Sequence, residues 1–300
     1  MELHRITPEL TLIPLDQQLR GFHSFIGAWL YQGDATFLVD VGPAATVPLL
    51  CQALEELEVT TSLDALLLTH IHIDHAGGAG DFSRRFPRTP VVCHPKALPH
   101  MGDPERLWQG SLKTLKDTAR AYGPIKAVPK ENLVSSRDFS GLGVQVLDTP
   151  GHAVHHVSYV KEDILFAGET GGVRVDVPGK GTWLRPATPP RFLMEVSSAS
   201  LDILMDTPHN IYCYGHFGAV KGNNTPLLAA HKEQLKLWAE VVGEQMALSE
   251  ESLEARCLEV LLARDPNLSV YPHLPDDVRH REHGFMENSI RGIAGYLREK

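Results

Sequence analysis

Residues 69–75 read Thr69-His70-Ile71-His72-Ile73-Asp74-His75, which places three imidazoles and one carboxylate within six residues. An apolar run, Asp64-Ala65-Leu66-Leu67-Leu68-Thr69, precedes them, and Ala76-Gly77-Gly78 follows. The run is too short for a buried helix and reads as a strand. In extended backbone, side chains at i and i+2 share one side, so His70 and His72 can bind one metal. The Gly-Gly turn then aims Asp74 and His75 at a second position beside the first. Imidazole nitrogen and carboxylate oxygen suit borderline divalent metals. A lone His-x-His pair is common; the whole run between a strand and a Gly-Gly turn is specific.

Two further segments carry Gly-His at a strand end: Asp148-Thr149-Pro150-Gly151-His152 and Cys213-Tyr214-Gly215-His216. Leu165-Phe166-Ala167-Gly168-Glu169-Thr170 adds a carboxylate just past an apolar strand. A bridging carboxylate holds two cations about 3.5–4 Å apart, the usual spacing of paired hydrolytic metals.

Around these motifs the chain alternates strand and helix signals. A hairpin is expected over 24–31 and 35–40, turning at Gln32-Gly33-Asp34. Helices are expected over 47–57, 81–86, 104–121 and 191–205, and strands over 90–93, 142–147, 156–160, 164–166 and 210–213. Residues 171–190 are rich in Gly and Pro and read as a long loop. Beyond Asn224 the signal is helical only, over 227–246, 253–262 and 287–297, with Ser249 as an N-cap. The expected division is a catalytic domain over 1–223 and a helical subdomain over 224–300.

Hydrophobic residues make up 43% and charged residues 22%, the balance of a soluble globular protein. A net charge of −9 without any Lys/Arg run argues against a nucleic-acid partner. No apolar stretch reaches the ~20 residues of a membrane span, and no secretory signal is visible. Cys51, Cys93, Cys213 and Cys257 form no Cys-x-x-Cys pair, and Cys93 and Cys213 end apolar strands. A disulfide framework is not expected, and a cytoplasmic location is.

The order H-x-H-x-D-H, Pro-Gly-His, Gly-acid, Gly-His resembles the metallo-β-lactamase-fold superfamily over about residues 24–217. Leu38-Val39-Asp40-Val41-Gly42 resembles that family's strand before an Asp-x-Gly turn. The resemblance implies an α/β (α+β) fold, a four-layer αββα sandwich with metals at one edge, here followed by a helical extension. It also implies that His70, His72 and His152 bind one metal, that Asp74, His75 and His216 bind the other, and that Glu169 bridges. The family usually has Asp at the bridge. The extra methylene of Glu169 moves its carboxylate about one bond outward, which leaves metal spacing and identity open, as well as binding to one metal only.

Other residues are candidates for the surroundings of the site. His155 or His156 would hydrogen-bond a ligand, or His156 is simply packed. Arg174 and Arg185 would meet an anionic substrate group, or are solvated. His23 and Tyr214 are weaker candidates, and His273, His280 and His283 show no ligand spacing.

The expected activity is that of a metal-dependent hydrolase with two divalent ions, zinc first and iron or manganese as alternatives. The metals lower the pKa of water toward ~7, and Asp74 orients the hydroxide. Small esters, thioesters or lactones are the expected substrates, by resemblance to glyoxalase II-like and lactonase-like members. One alternative is an iron-dependent oxidoreductase or dioxygenase on the same fold. Flavodiiron-type members place Glu where this chain has His72, whereas a single-iron dioxygenase uses a subset of these ligands. A catalytically silent metal-binding protein ranks last, because all seven ligand-type positions are filled. The helical region is expected to cover the mouth of the site or to form a homodimer interface.

Overall fold

Apolar residues at consecutive or alternate positions organise the first half of the chain into strands. The computed structural model describes residues 2–61, 63–190 and 192–300. Its first compact unit runs to Leu147 and resumes over His155–Glu162. Seven strands form one sheet in chain order: β1 (His4–Arg5), β2 (Leu10–Pro14), β3 (Gly27–Gln32), β4 (Thr36–Val39), β5 (Ala65–Leu67), β6 (Val91–Cys93) and β7 (Leu133–Ser135). The expected hairpin is β3–β4, which closes with Gln32 opposite Thr36.

From β4 to β7 the pairing is parallel, and each parallel step needs a crossover. Helix α1 (Val47–Glu56), which buries Leu50, Ala53 and Leu54, supplies the first. Helices α2 (Ile73–Ala76) and α3 (Ala79–Arg85) supply the second; α4 (Leu98–Gly102), α5 (Glu105–Leu115) and α6 (Asp117–Tyr122) supply the third. Ligands gather beyond the carboxyl ends of such strands. Asp40 follows β4 there, and His70 follows β5.

The single helix expected over 104–121 is two. Lys116 takes a φ of 51° between α5 and α6. α5 buries no side chain, whereas α6 buries Ala119 and Tyr122. The break lets Tyr122 meet Phe22 at an angle, with ring centres 6.3 Å apart. Leu112, Leu115 and Ala119 keep helical spacing across the break, so periodicity alone runs through it.

The second unit comprises Asp148–Val154 and Asp163–Lys300. β8 (Val144–Asp148) lies almost wholly in the first unit and β9 (Val157–Lys161) entirely in it, and β10 (Ile164–Gly168) is the first full strand of the second. The expected loop over 171–190 is instead largely a hairpin, β11 (Val173–Val177) with β12 (Gly181–Arg185), pairing Val175 with Trp183. Pro178 and Gly179 form its tight turn at 178–180 after alternating Val173, Val175 and Val177, while Gly171, Gly172, Pro186, Pro189 and Pro190 flank the hairpin. The next helix, α7, runs Met194–Asp206; Arg191, its expected start, lies outside the described residues. Strand β13 (Ile211–Tyr214) pairs parallel with β10, and β14 (Ala219–Lys221) is antiparallel to β13. Within this unit the strand order is β14-β13-β10.

The remainder is helical: α8 (Thr225–Leu248), α9 (Leu253–Arg264) and α10 (Asp276–Arg298). A division at 223/224 therefore separates strand-bearing from helical sequence, while the compact units follow another line. Ser249 caps a turn rather than α9: its Oγ accepts from Glu251 N at 3.0 Å, and Ser252 precedes the helix. α10 starts at Asp276, not 287, because its buried stripe there is charged: Arg281 and Glu282 are both buried. All four cysteines are free thiols. No helix among the described residues is long and apolar enough to cross a membrane.

Glu282 pairs with Arg185 of β12, at 0% and 3% side-chain exposure, and its Oε1 accepts from Arg281 Nε at 2.8 Å. Its Oε2 also accepts from Trp183 Nε1 at 3.2 Å. Burial pushes the Glu282 carboxyl up, but the Arg185 and Arg281 charges outweigh burial and hold it below the usual range. Breaking a buried pair from one side leaves an uncompensated charge, so Glu282→Ala should cost about 3–5 kcal/mol in urea unfolding followed by Trp fluorescence. A native pKa below the unfolded value means that this contribution is present above about pH 4.3 and fades as pH falls through the lowered native value. A loss under ~1 kcal/mol would show that the ion pair does not hold the hairpin to α10.

Candidate metal centre

In the first unit the motif stands between β5 and a short helix. His70 and His72 occupy the extended link, and His72 (φ −62°, ψ 149°) stands just before α2, which carries Asp74 and His75. The rings of His70 and His72 are 4.8 Å apart, and those of His70 and His75 are 4.3 Å apart. His70 and His75 are almost fully buried, at 1% and 0% exposure. His75 Nε2 lies 4.0 Å from Asp74 Oδ2.

The glycines after the motif act through closeness, not through unusual torsions. Gly78 has φ −81°, and its N–H donates to Gly42 O at 2.8 Å. A Cβ there would lie 2.5 Å from Val47 Cγ2 and 3.2 Å from Gly42 O.

One buried carboxylate orients two of the imidazoles. Asp40, in a left-handed turn at φ 58° after β4, accepts from Thr69 N and Thr69 Oγ1 at 2.8 Å each. Asp40 Oδ2 also accepts from His75 Nδ1 at 3.0 Å. Since the Thr69 hydroxyl proton goes to Asp40, Thr69 Oγ1 is the acceptor for His70 Nδ1, 3.1 Å away. Both rings therefore carry their proton on Nδ1 and direct the Nε2 lone pair as ligand atom, the arrangement usual for metal-binding histidine. The sequence shows Asp40 only as part of a familiar turn; its partners lie 29 and 35 residues away.

The second unit brings three more candidates together. Glu169 and His216 follow the parallel strands β10 and β13, so both leave the sheet at the same end. Gly215 N donates to Gly168 O at 2.8 Å, and a Cβ on Gly215 would fall 2.7 Å from Gly168 C, so only glycine allows this approach. Glu169 Oε1 lies 3.2 Å from His216 Nε2 and 3.5 Å from His152 Nε2. His152 Nδ1 donates to Ala187 O at 2.9 Å, so its Nε2 also presents a lone pair toward the carboxylate. Electron-rich atoms facing each other at this range suit a shared cation. The donor set, imidazole nitrogen with carboxylate oxygen, fits a divalent metal.

The remaining candidates are placed as follows. His156 is fully buried with its ring 5.2 Å from that of His70, and the His155 ring is 6.1 Å from that of His72. Arg174 forms an ion pair with Asp176 and stands over the Tyr214 ring. Arg185 is held by Glu282. His23 is 77% exposed beside Asp16, and His283 lies 3.6 Å from Glu287.

Residues 25–216 match the family model of the metallo-beta-lactamase superfamily, and the chain belongs to that superfamily. It is 25% identical to the metallo-beta-lactamase fold-containing protein ST1585 of Sulfurisphaera tokodaii over 72% of this chain and 84% of that protein. The crystal structure of ST1585 superposes with a TM-score of 0.69 over 98% of this chain and 100% of that one, at 21% identity. The structure of the metallo-beta-lactamase family protein TTHA1429 from Thermus thermophilus gives 0.64 at 21% identity, over 98% of this chain and 94% of that one. The expected fold class, α/β of metallo-β-lactamase type with a helical C-terminal region, is the one observed. The hydroxyacylglutathione hydrolase of Photobacterium profundum is 33% identical over 47% of this chain, and the match spans 45% of that enzyme.

Because Asp40 fixes two rings at once, Asp40→Asn should weaken metal binding about 10- to 100-fold in chelator competition, with the circular dichroism spectrum unchanged. Asn tolerates the left-handed backbone, so a folding failure is not expected. Wild-type affinity in this variant would remove Asp40 from the orienting role.

Proposed function

We propose that the chain is a metal-dependent hydrolase that cleaves a small ester, thioester or lactone. By the superfamily's motif order, His70, His72 and His152 would hold one divalent ion, Asp74, His75 and His216 the other, and Glu169 would serve both. The observation that carries this reading is the contact of Glu169 Oε1 with both His152 Nε2 and His216 Nε2. A carboxylate within reach of histidines assigned to different metals would suit the bridging role.

When bound, the two ions would supply an activated water and a Lewis acid for the scissile carbonyl. The chain supplies the rest. Thr69 and Asp40 hold His70 and His75 in one tautomer. Ala187 O does the same for His152. Asp74, at 9% exposure, is the carboxylate that would orient the attacking water and take its proton. Zinc is the proposed metal. The superfamily's hydrolases and the partial match to hydroxyacylglutathione hydrolases support acyl-transfer chemistry.

The test is elemental analysis of the purified chain together with hydrolysis of an ester, thioester and lactone panel. About two ions per chain are expected. His72→Ala should lose at least one ion and lower kcat/KM by roughly 100-fold or more, a magnitude in line with loss of a main electrostatic contribution. Full hydrolysis by metal-stripped protein would sink the proposal. Oxygen uptake with a thiol substrate and one iron per chain would replace it with an oxygenase.

A further inference from the structure

Helix α8 carries one histidine, His231, at 2% exposure. It lines a pocket together with His152, Glu169, Thr170, Ala187 and Leu235. Its hydrogen-bond polarity is set by a chain of buried groups. Gln234 Nε2 lies 2.7 Å from Leu184 O and 2.7 Å from Asp265 Oδ2. Both partners are acceptors, so that end of the amide is the NH2 group. Gln234 Oε1 therefore faces His231 Nδ1, at 2.9 Å, and accepts its proton in a hydrogen bond. Asp265 Oδ2 is fixed in turn by Trp238 Nε1 at 2.7 Å, and Asp265 Oδ1 by Asn267 N at 3.0 Å.

With its proton on Nδ1, His231 presents a lone pair at Nε2, which makes no hydrogen bond among the described residues. The ring edge lies over Gly172 (φ 80°), where a Cβ would come within 2.7 Å of Cε1 and 3.1 Å of Nε2. Burial holds the ring neutral, with its pKa lowered to about 4 against the opposing Gln234 bond. Among the described residues, His231 belongs to no set close enough to share an ion. The lone pair is thus an obligate acceptor on the wall of a pocket that also contains Glu169.

We propose that His231 Nε2 is a substrate-selecting atom, accepting a hydrogen bond from an O–H or N–H group carried near the scissile carbonyl. The enzyme then prefers donor-bearing acyl compounds over analogues without the donor. The inference rests on the hydrolase reading above. Its physical basis is that a buried acceptor facing an apolar analogue stays desolvated and unpaired, a penalty that corresponds to roughly 10- to 100-fold in rate.

The test uses matched thioesters of one thiol, 2-hydroxypropionyl against propionyl and 3-hydroxybutyryl against butyryl. For at least one pair, wild-type kcat/KM should favour the hydroxylated member about 10- to 100-fold. His231→Leu should lose that preference, lowering kcat/KM for the hydroxylated member about 10- to 100-fold more than for its donor-lacking partner. His231→Gln, which retains an acceptor, should keep most of it. Long-range proton–nitrogen NMR correlations should show the Nδ1–H tautomer of His231 in the wild type. An Nε2–H tautomer, no preference in the wild type, or equal losses on both members would each overturn the inference. If the wild type hydrolyses none of the probes, the hydrolase reading fails by itself. Calorimetric binding of the same pairs then decides: a preference lost in His231→Leu supports the acceptor role, and equal binding refutes it.

Discussion

The histidine-rich motif of the first unit depends on a single buried carboxylate. Asp40 receives the Thr69 amide, the Thr69 hydroxyl and the His75 ring. The backbone beside it does related work, since Val41 and Gly42 both donate to His75 O, at 2.8 and 3.0 Å. The end of β4 therefore grips both ends of the motif. Three imidazoles on a loop have many rotamers and two tautomers each. Ordering His70 and His75, two of the three, before a metal arrives removes much of that freedom in advance, and such supporting contacts decide whether a ligand set is precise or merely present.

The second unit meets the same requirement through backbone proximity. The Gly215 amide on Gly168 O ties the two strand ends together, and Glu169 and His216 emerge one residue later from each. The longer glutamate side chain does not carry the carboxylate past its partners, because Oε1 still reaches both histidines. The departure from the usual aspartate is thus absorbed in the geometry of the side chain.

Much of this is legible in the sequence, for reasons that also explain what is not. The H-x-H-x-D-H run, the two Gly-His segments and Glu169 are local signals, and local signals survive without a structure. The role of Asp40 is not local. Its partners are far along the chain, and only strand pairing brings them near. His231 escapes a sequence reading because a histidine in an amphipathic helix looks like packing; its spacing to Gln234 is the one available hint. The hairpin over 173–185 reads as loop because the Gly and Pro residues in its turn and on both flanks mask the valine alternation. The first turns of α10 escape because Arg281 and Glu282 occupy core positions where periodicity looks for apolar residues. Helix α5 runs into α6 in the sequence because nothing in the spacing marks a left-handed lysine.

The Arg185–Glu282 pair bears on inheritance as well as on stability. Helices after residue 224 look like an appendage that evolution or an engineer could exchange between relatives. A charge buried on β12 is answered from α10, and the Leu184 carbonyl beside it is answered from α8. A grafted helical region lacking those answers would strand a guanidinium and a carbonyl in the interior. The extension and the hairpin are therefore coupled in packing, and a chimera joined at 223/224 would have to carry residues 184 and 185 along with the helices.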